Sequence, residues 1–132
     1  MKDLKDSCIF CNIPTNRIVL KDKLSYSIFD QFPVSKGHAL IIPYRHVSSF
    51  FDLTDDEYLE IRYLINEMKL RIDHSFSPTG YNIGINIGAT AGQSIQHVHI
   101  HLIPRFTGDV PDPFGGVRNI ISGKGRYPLV DE

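Results

Sequence analysis

The hydrophobic positions of this chain fall into short runs with two different periods. Residues 24–30 (LSYSIFD) and 38–43 (HALIIP) are compact and largely apolar, and they predict two strands joined by a loop that holds Pro33 and Gly37. Further on, Tyr58, Ile61, Leu64, Ile65, Met68 and Ile72 recur at helical spacing and predict one amphipathic helix of about five turns. Thr54, Asp55, Asp56 and Glu57 mark its start, because a Thr cap followed by Glu three residues later is a capping box and acids suit a first turn. Pro78, Thr79 and Gly80 mark its end. Residues 81–87 (YNIGINI) alternate, with Tyr81, Ile83, Ile85 and Ile87 on one face and Asn82, Gly84 and Asn86 on the other. Residues 97–103 (HVHIHLI) alternate again: Val98, Ile100 and Leu102 turn to the core, while His97, His99 and His101 share the opposite face. Pro104 is expected to stop that strand, and the Gly- and Pro-rich tail to be largely irregular. Strands, one long helix, then strands again predict an α+β fold, an antiparallel sheet covered by the helix, in a single domain over residues 1–132.

Composition narrows the partners. The 132 residues are 42% hydrophobic and 22% charged, which is ordinary for a globular domain. With 14 Lys+Arg against 15 Asp+Glu the net charge is −1, so no broad electrostatic grip on nucleic acid or an anionic membrane is expected. Any nucleotide ligand is then a small molecule in a pocket. The N-terminal residues alternate charges without an apolar run of signal-peptide length, and the expected compartment is the cytoplasm.

The histidines carry the chemistry. Three of the six stand in five residues on one strand face, and three readings compete. They are solvated surface groups, ligands of one metal, or a catalytic set. A single metal is hard to reach from both outer positions, because His97 and His101 are about 13 Å apart along a strand, against metal–nitrogen bonds of about 2.1 Å. In the catalytic reading the middle imidazole attacks phosphorus and holds a nucleotidyl group through a P–N bond. The preceding loop, Ala91, Gly92, Gln93 and Ser94, offers backbone N–H groups and side-chain donors suited to a phosphate. Cys8 and Cys11 form the other cluster. Their C-x-x-C spacing suits half a zinc site, a thioredoxin-like redox pair, or two plain buried thiols.

The segment GQSIQHVHIHLIP resembles the signature of the histidine triad (HIT) superfamily of nucleotide hydrolases and transferases. The likeness extends from CIFC through FDQFPVSKGHALIIPYRHV to PRFTGD, and so covers most of the chain. It implies a HIT-like sheet of about five strands and a nucleophilic His99 attacking the α-phosphorus. It further implies that His101 binds and neutralises the phosphate, and that Gln93 and Ser94 contact phosphate oxygens or the leaving group. His38, Asp30, Asn86 and Gly92 are implied in substrate binding, with Asp30 as the ribose partner. Asp30 as a turn-forming strand end and Asn86 as a solvated residue stay open as plainer readings.

Within the superfamily, IPRFTGD resembles the dinucleoside polyphosphate hydrolases of the fragile histidine triad branch, whereas the Gln-Ser lead-in and the Cys pair resemble the phosphoramidase-like branch. The expected activity is cleavage of dinucleoside polyphosphates through a covalent histidyl-nucleotide intermediate. A purine nucleoside phosphoramidase, a phosphorylase and a non-catalytic nucleotide-binding module are the alternatives. With His99, His101 and His38 assigned to chemistry and His74 placed near the end of the helix, His46 and His97 are left to complete a site with Cys8 and Cys11, a pattern similar to zinc-bearing HIT-type proteins. The resemblance implies a homodimer through the long helix and a sheet edge. A structural zinc is expected, and no organic cofactor.

Overall fold

Strand order decides which part of this molecule can carry chemistry. The computed structural model describes residues 4–128; residues 1–3 and 129–132 of the expected 1–132 domain lie outside the described residues. A short helical turn α1 (Leu4–Ser7) precedes strands β1 (Ile18–Lys21), β2 (Ser25–Phe29) and β3 (Ala39–Pro43). The long helix α2 (Asp55–Phe76) follows, then β4 (Gly80–Gly84) and β5 (Ile100–Arg105). The five strands form one antiparallel sheet in the order β1-β2-β3-β5-β4. The fold is α+β, as expected.

Local chemistry accounts for most of these elements. Every residue of the apolar run in β3 is buried, as a central strand requires. Helix α2 starts where the capping box puts it: Glu57 N–H donates to Thr54 Oγ1 at 3.1 Å, and Thr54 N–H donates to Glu57 Oε1 at 2.8 Å. It ends at Ser77, whose φ of 52° is left-handed. Ile61, Leu64, Met68 and Ile72 press on Ala39, Ile41, Ile100 and Leu102 to form the main core. Tyr58 departs from the expected stripe: it is 50% exposed and packs edge-on against Phe50.

Several expected boundaries move, each for a tertiary reason. Strand 97–103 is observed as β5 from Ile100 to Arg105. Before Ile100 the chain leaves the ladder, and Val98 N–H instead donates to the Val47 carbonyl at 2.7 Å. Pro104 does not stop the strand. Pairing with β3 ends at Leu102, so beyond it β5 has an open side, where proline is tolerated. Strand 81–87 shortens to β4, Gly80–Gly84, because its partner begins only at Ile100 and the last pair is Gly84 with His101. Strand β1 has no counterpart among the expected strands; its four residues are too few to show a period, and it pairs with β2 across a bulge.

The second face of the sheet is also partly covered. Cys8 and Phe10 from the N-terminal segment pack on Tyr26, Ile28, Leu40 and Ile42, so the helix is not the only cover. The loop between β2 and β3 is held by Gly37, with φ 85°: a Cβ there would stand 2.8 Å from the Phe76 ring. Among the described residues, no helix is long and apolar enough to cross a membrane.

Candidate active site and metal-ligand cluster

Alternation along β5 separates two chemistries. Ile100 and Leu102 point into the helix-side core, which leaves His101, Ile103 and Arg105 on the opposite face. His99 precedes the strand on that same open side, with its ring 4.9 Å from Phe10 and 5.1 Å from His101. His97 is fully buried and turns instead toward the cysteines. The three histidines therefore do not form one ligand set.

Hydrogen bonds determine which nitrogen of each ring carries its proton. His99 Nδ1 lies 2.9 Å from the His97 carbonyl oxygen, which can only accept, so Nδ1 holds the proton and Nε2 keeps its lone pair. His38 Nδ1 accepts from Val34 N–H at 3.2 Å, which puts the His38 proton on Nε2. That Nε2–H donates across 3.0 Å to His101 Nδ1, so neutral His101 carries its own proton on Nε2. Burial, reinforced by His99 and His38, holds the His101 pKa down at about 4. Burial also lowers His38, against the opposing pull of Asp30. At neutral pH both rings are uncharged.

A cavity of about 280 Å³ opens over His99 and His101. Asp30, Asn86 and Ser94 line it, together with Phe10, Ile28 and Leu40. Asp30 Oδ1 accepts from Phe32 N–H at 2.8 Å, and its Oδ2 lies 3.6 Å from His38 Nε2. Three expected site residues stand outside the lining. His38 is buried behind the lining, with its Nε2 against His101 Nδ1 and near Asp30 Oδ2. Gln93 turns away from it: its side-chain amide donates to the Ser48 and Ile95 carbonyls at 2.9 and 3.1 Å and accepts from Gly88 N–H at 2.9 Å. Its geometry braces the loop, and the reason is burial, since all its polar atoms need partners away from water. Gly92, with φ 90°, supplies a turn in that loop and does not line the cavity. Sequence reasoning missed Phe10, Arg17, Ile28 and Leu40 as cavity residues. For Ile28 and Leu40, strand alternation was the available signal, but both sheet faces are apolar and it does not choose between them.

The second cluster gathers distant parts of the chain. Cys8 Sγ lies 3.4 Å from His97 Nδ1, and Cys11 Sγ lies 3.2 Å from His46 Nδ1. The two Nδ1 atoms are 3.2 Å apart, and all four donor atoms lie within 4.8 Å of one another. Tetrahedral zinc with two thiolates and two imidazoles needs ligand–ligand spacings of roughly 3.4–3.8 Å, so the donor set fits. His97 Nε2 is 2.8 Å from the Pro43 carbonyl oxygen, which leaves the Nδ1 lone pair for a metal. His46 reaches the cluster from a loop that Arg45 ties to helix α2, through Nη2–Oε1 and Nε–Oε2 bonds of 2.8 and 3.2 Å to Glu57.

Comparison with known proteins bears on both clusters. A HIT domain model matches residues 12–108. An AP-4-A phosphorylase of Mycobacterium tuberculosis is 38% identical over 93 residues, 70% of this chain and 48% of that protein, so the chain spans about half the length of this relative. Adenosine 5'-monophosphoramidase hnt1 of Schizosaccharomyces pombe is 36% identical over 103 residues, covering 75% of this chain and 74% of that one. Among solved structures, a Zn-bound histidine triad family protein from Mycobacterium smegmatis superposes with a TM-score of 0.71 at 28% identity, covering 82% of this chain and 86% of that one.

Proposed function

The chain belongs to the HIT domain family, and from that premise we propose that it cleaves nucleotides at the α-phosphate through a covalent intermediate on His99. The observation that carries this reading is the His99 ring, which lines the cavity and whose Nδ1–H bond to the His97 carbonyl leaves Nε2 with a free lone pair. In the first step Nε2 attacks the α-phosphorus, a P–N bond forms, and the bond to the leaving group breaks with its electron pair going to that group. His101 Nε2–H and the Ser94 hydroxyl are donors to the phosphate oxygens and the leaving group. In the second step water attacks phosphorus and gives up a proton to solvent, and the P–N bond breaks with its electron pair returning to Nε2, which restores His99. Phosphate in place of water would make the enzyme a phosphorylase.

Dinucleoside polyphosphates are the proposed substrate class, with Asp30 and Asn86 as contacts for the nucleoside half. The second reading, a purine nucleoside phosphoramidase, is favoured by the similarity to the Schizosaccharomyces pombe phosphoramidase. Gln93 and His38 act as positioning residues, the first for the phosphate-side loop and the second for His101.

We further propose that Cys8, Cys11, His46 and His97 hold a structural zinc. Zinc bound there would cross-link the N-terminal segment, the loop after β3 and the lead-in to β5 rather than activate water. Two exposed apolar features support a homodimer: Ile83 on the edge strand β4 and Leu59 on α2. Two thiolates kept reduced as ligands suit the cytoplasm, the compartment proposed.

Product analysis with diadenosine polyphosphates and an adenosine phosphoramidate, each with and without inorganic phosphate, tests the activity. Release of AMP or ADP is expected. Turnover of none of these substrates would transfer the reading to a nucleotide-binding module.

A further inference from the structure

The open face of the sheet does not end at His101. Along β5 it continues through Ile103 to Arg105, and on β4 Gly84 stands opposite His101 and Asn82 opposite Ile103. Over this stretch lies a second cavity of about 770 Å³, lined by Ile103, Arg105, Asn82, Lys36, Phe76 and Phe106. One loop walls both cavities: residues 30–32 border the cavity over His99, and residues 34–36 border the second. Ser35 Oγ donates to the Pro104 carbonyl at 2.6 Å and pins that loop to β5.

Size and chemistry point the same way. At about 280 Å³, the cavity over His99 falls just under the range of small-molecule pockets, which starts at roughly 300 Å³. It suits one nucleoside monophosphate. A substrate with two nucleosides joined by phosphates needs further room on the leaving side. The second cavity supplies it, starting one strand step past His101.

Its charges are unequal. Arg105 is spent within the protein, with Nε and Nη2 each 2.7 Å from the Asp109 carboxylate and Nη1 2.7 Å from Asn82 Oδ1. Lys36 makes no ion pair among the described residues, so its ammonium is the cation available to a ligand. The Phe76 and Phe106 rings offer aromatic surface for a base.

We propose that this second cavity receives the leaving half of a dinucleoside polyphosphate, with Lys36 on the phosphate chain and a base against Phe106. The assignment rests on the nucleotidyl-transfer reading above and deepens it, because it makes a two-headed nucleotide the substrate that the site is shaped for. Adenosine phosphoramidate with an unsubstituted amide, whose leaving group is ammonia, has nothing to place there.

The test compares the wild type with Lys36→Ala, Lys36→Glu and Phe106→Ala on diadenosine tetraphosphate and on adenosine phosphoramidate. The ratio of kcat/KM for the first substrate over the second should fall about tenfold in Lys36→Ala, the loss of one charge-assisted phosphate contact, and further in Lys36→Glu. An unchanged ratio in all three variants overturns the proposal. Calorimetry with a non-hydrolysable diadenosine tetraphosphate analogue and with AMP separates this from the failure of the catalytic reading. If the wild type turns over neither substrate, the proposed activity falls, whereas the second cavity stands only if the analogue binds more tightly than AMP and loses that advantage in Lys36→Ala. Equal binding of the two ligands by the wild type rejects it.

Discussion

His99 and His101 are two residues apart and chemically opposite, because their Nδ1 atoms meet opposite partners. A carbonyl oxygen faces one and a donating imidazole the other, so one ring presents a lone pair at Nε2 and the other a proton. His99→Ala should therefore reduce turnover by several powers of ten while nucleotide binding is retained. His101→Ala, which removes one donor, should cost about 10²–10³ in rate. Rapid-quench trapping of protein-bound AMP checks the intermediate, and equal activity of His99→Ala and wild type would reject it. The same burial has a consequence for stability. With its folded pKa held at about 4 against an ordinary 6.5, His101 binds protons less readily in the folded chain than in the unfolded one. Its contribution is therefore intact above about pH 6.5 and is lost as pH falls toward 4. Thermal melts between pH 7 and 5 should show a decline in Tm that is smaller in His101→Asn. Comparison with that variant cancels acid release of a metal, and equal slopes would contradict the argument.

At the scale of elements, helix α2 does more than cover the sheet. Glu57 is 3% exposed and serves two groups at once, the Thr54 N–H in the capping box and the Arg45 guanidinium. Those bonds, from Arg45 first, hold its carboxyl below the usual range despite burial. The start of the helix thus anchors the loop that delivers His46 to the cluster with Cys8, Cys11 and His97. Thr54→Ala should lower stability by about 1 kcal/mol, the usual cost of losing an N-cap side chain. Urea titration measures it as a lower midpoint at unchanged slope. A midpoint equal to that of the wild type would show that the cap is not needed.

For the whole molecule the controlling contacts are long-range. The Cys8–His97 pair closes a separation of 89 residues, and the Cys11–His46 pair one of 35. A zinc ion on these donors would stabilise the folded state by mass action, so chelator treatment should lower the Tm by about 5 °C or more. Protein purified without chelator should carry about one zinc per chain, and a Cys8→Ser, Cys11→Ser variant should carry none. Unchanged zinc in that variant rejects the ligand set. The edge strand predicts assembly. Sedimentation should give the mass of a dimer, and Ile83→Lys, which puts a charge on the open edge, should shift it toward monomer. A wild-type monomer at micromolar concentration would reject the interface.

The amino-acid sequence by itself determined whatever depends on neighbours along the chain. The helix from Asp55 follows from a 3.6-residue period and a cap four residues wide, and the apolar run of β3 from five consecutive residues. Three histidines at alternate positions and two cysteines three apart are equally local, which is why both clusters were legible. The tertiary structure decided what depends on residues far apart. It moved the start of β5 to Ile100, since His97 is drawn to the cysteines and Val98 bonds to Val47. It set the side chains of Gln93 and His38 behind the cavity lining, on the Ser48 and Ile95 carbonyls and on His101, because a buried polar group takes the nearest partner that satisfies it, and that partner is not encoded in spacing. It also laid the N-terminal segment over Tyr26 and Ile28 and set the second cavity beside the first. Those arrangements follow from strand order and loop closure, and a one-dimensional pattern of apolar positions does not distinguish the two faces of a sheet that carries apolar residues on both.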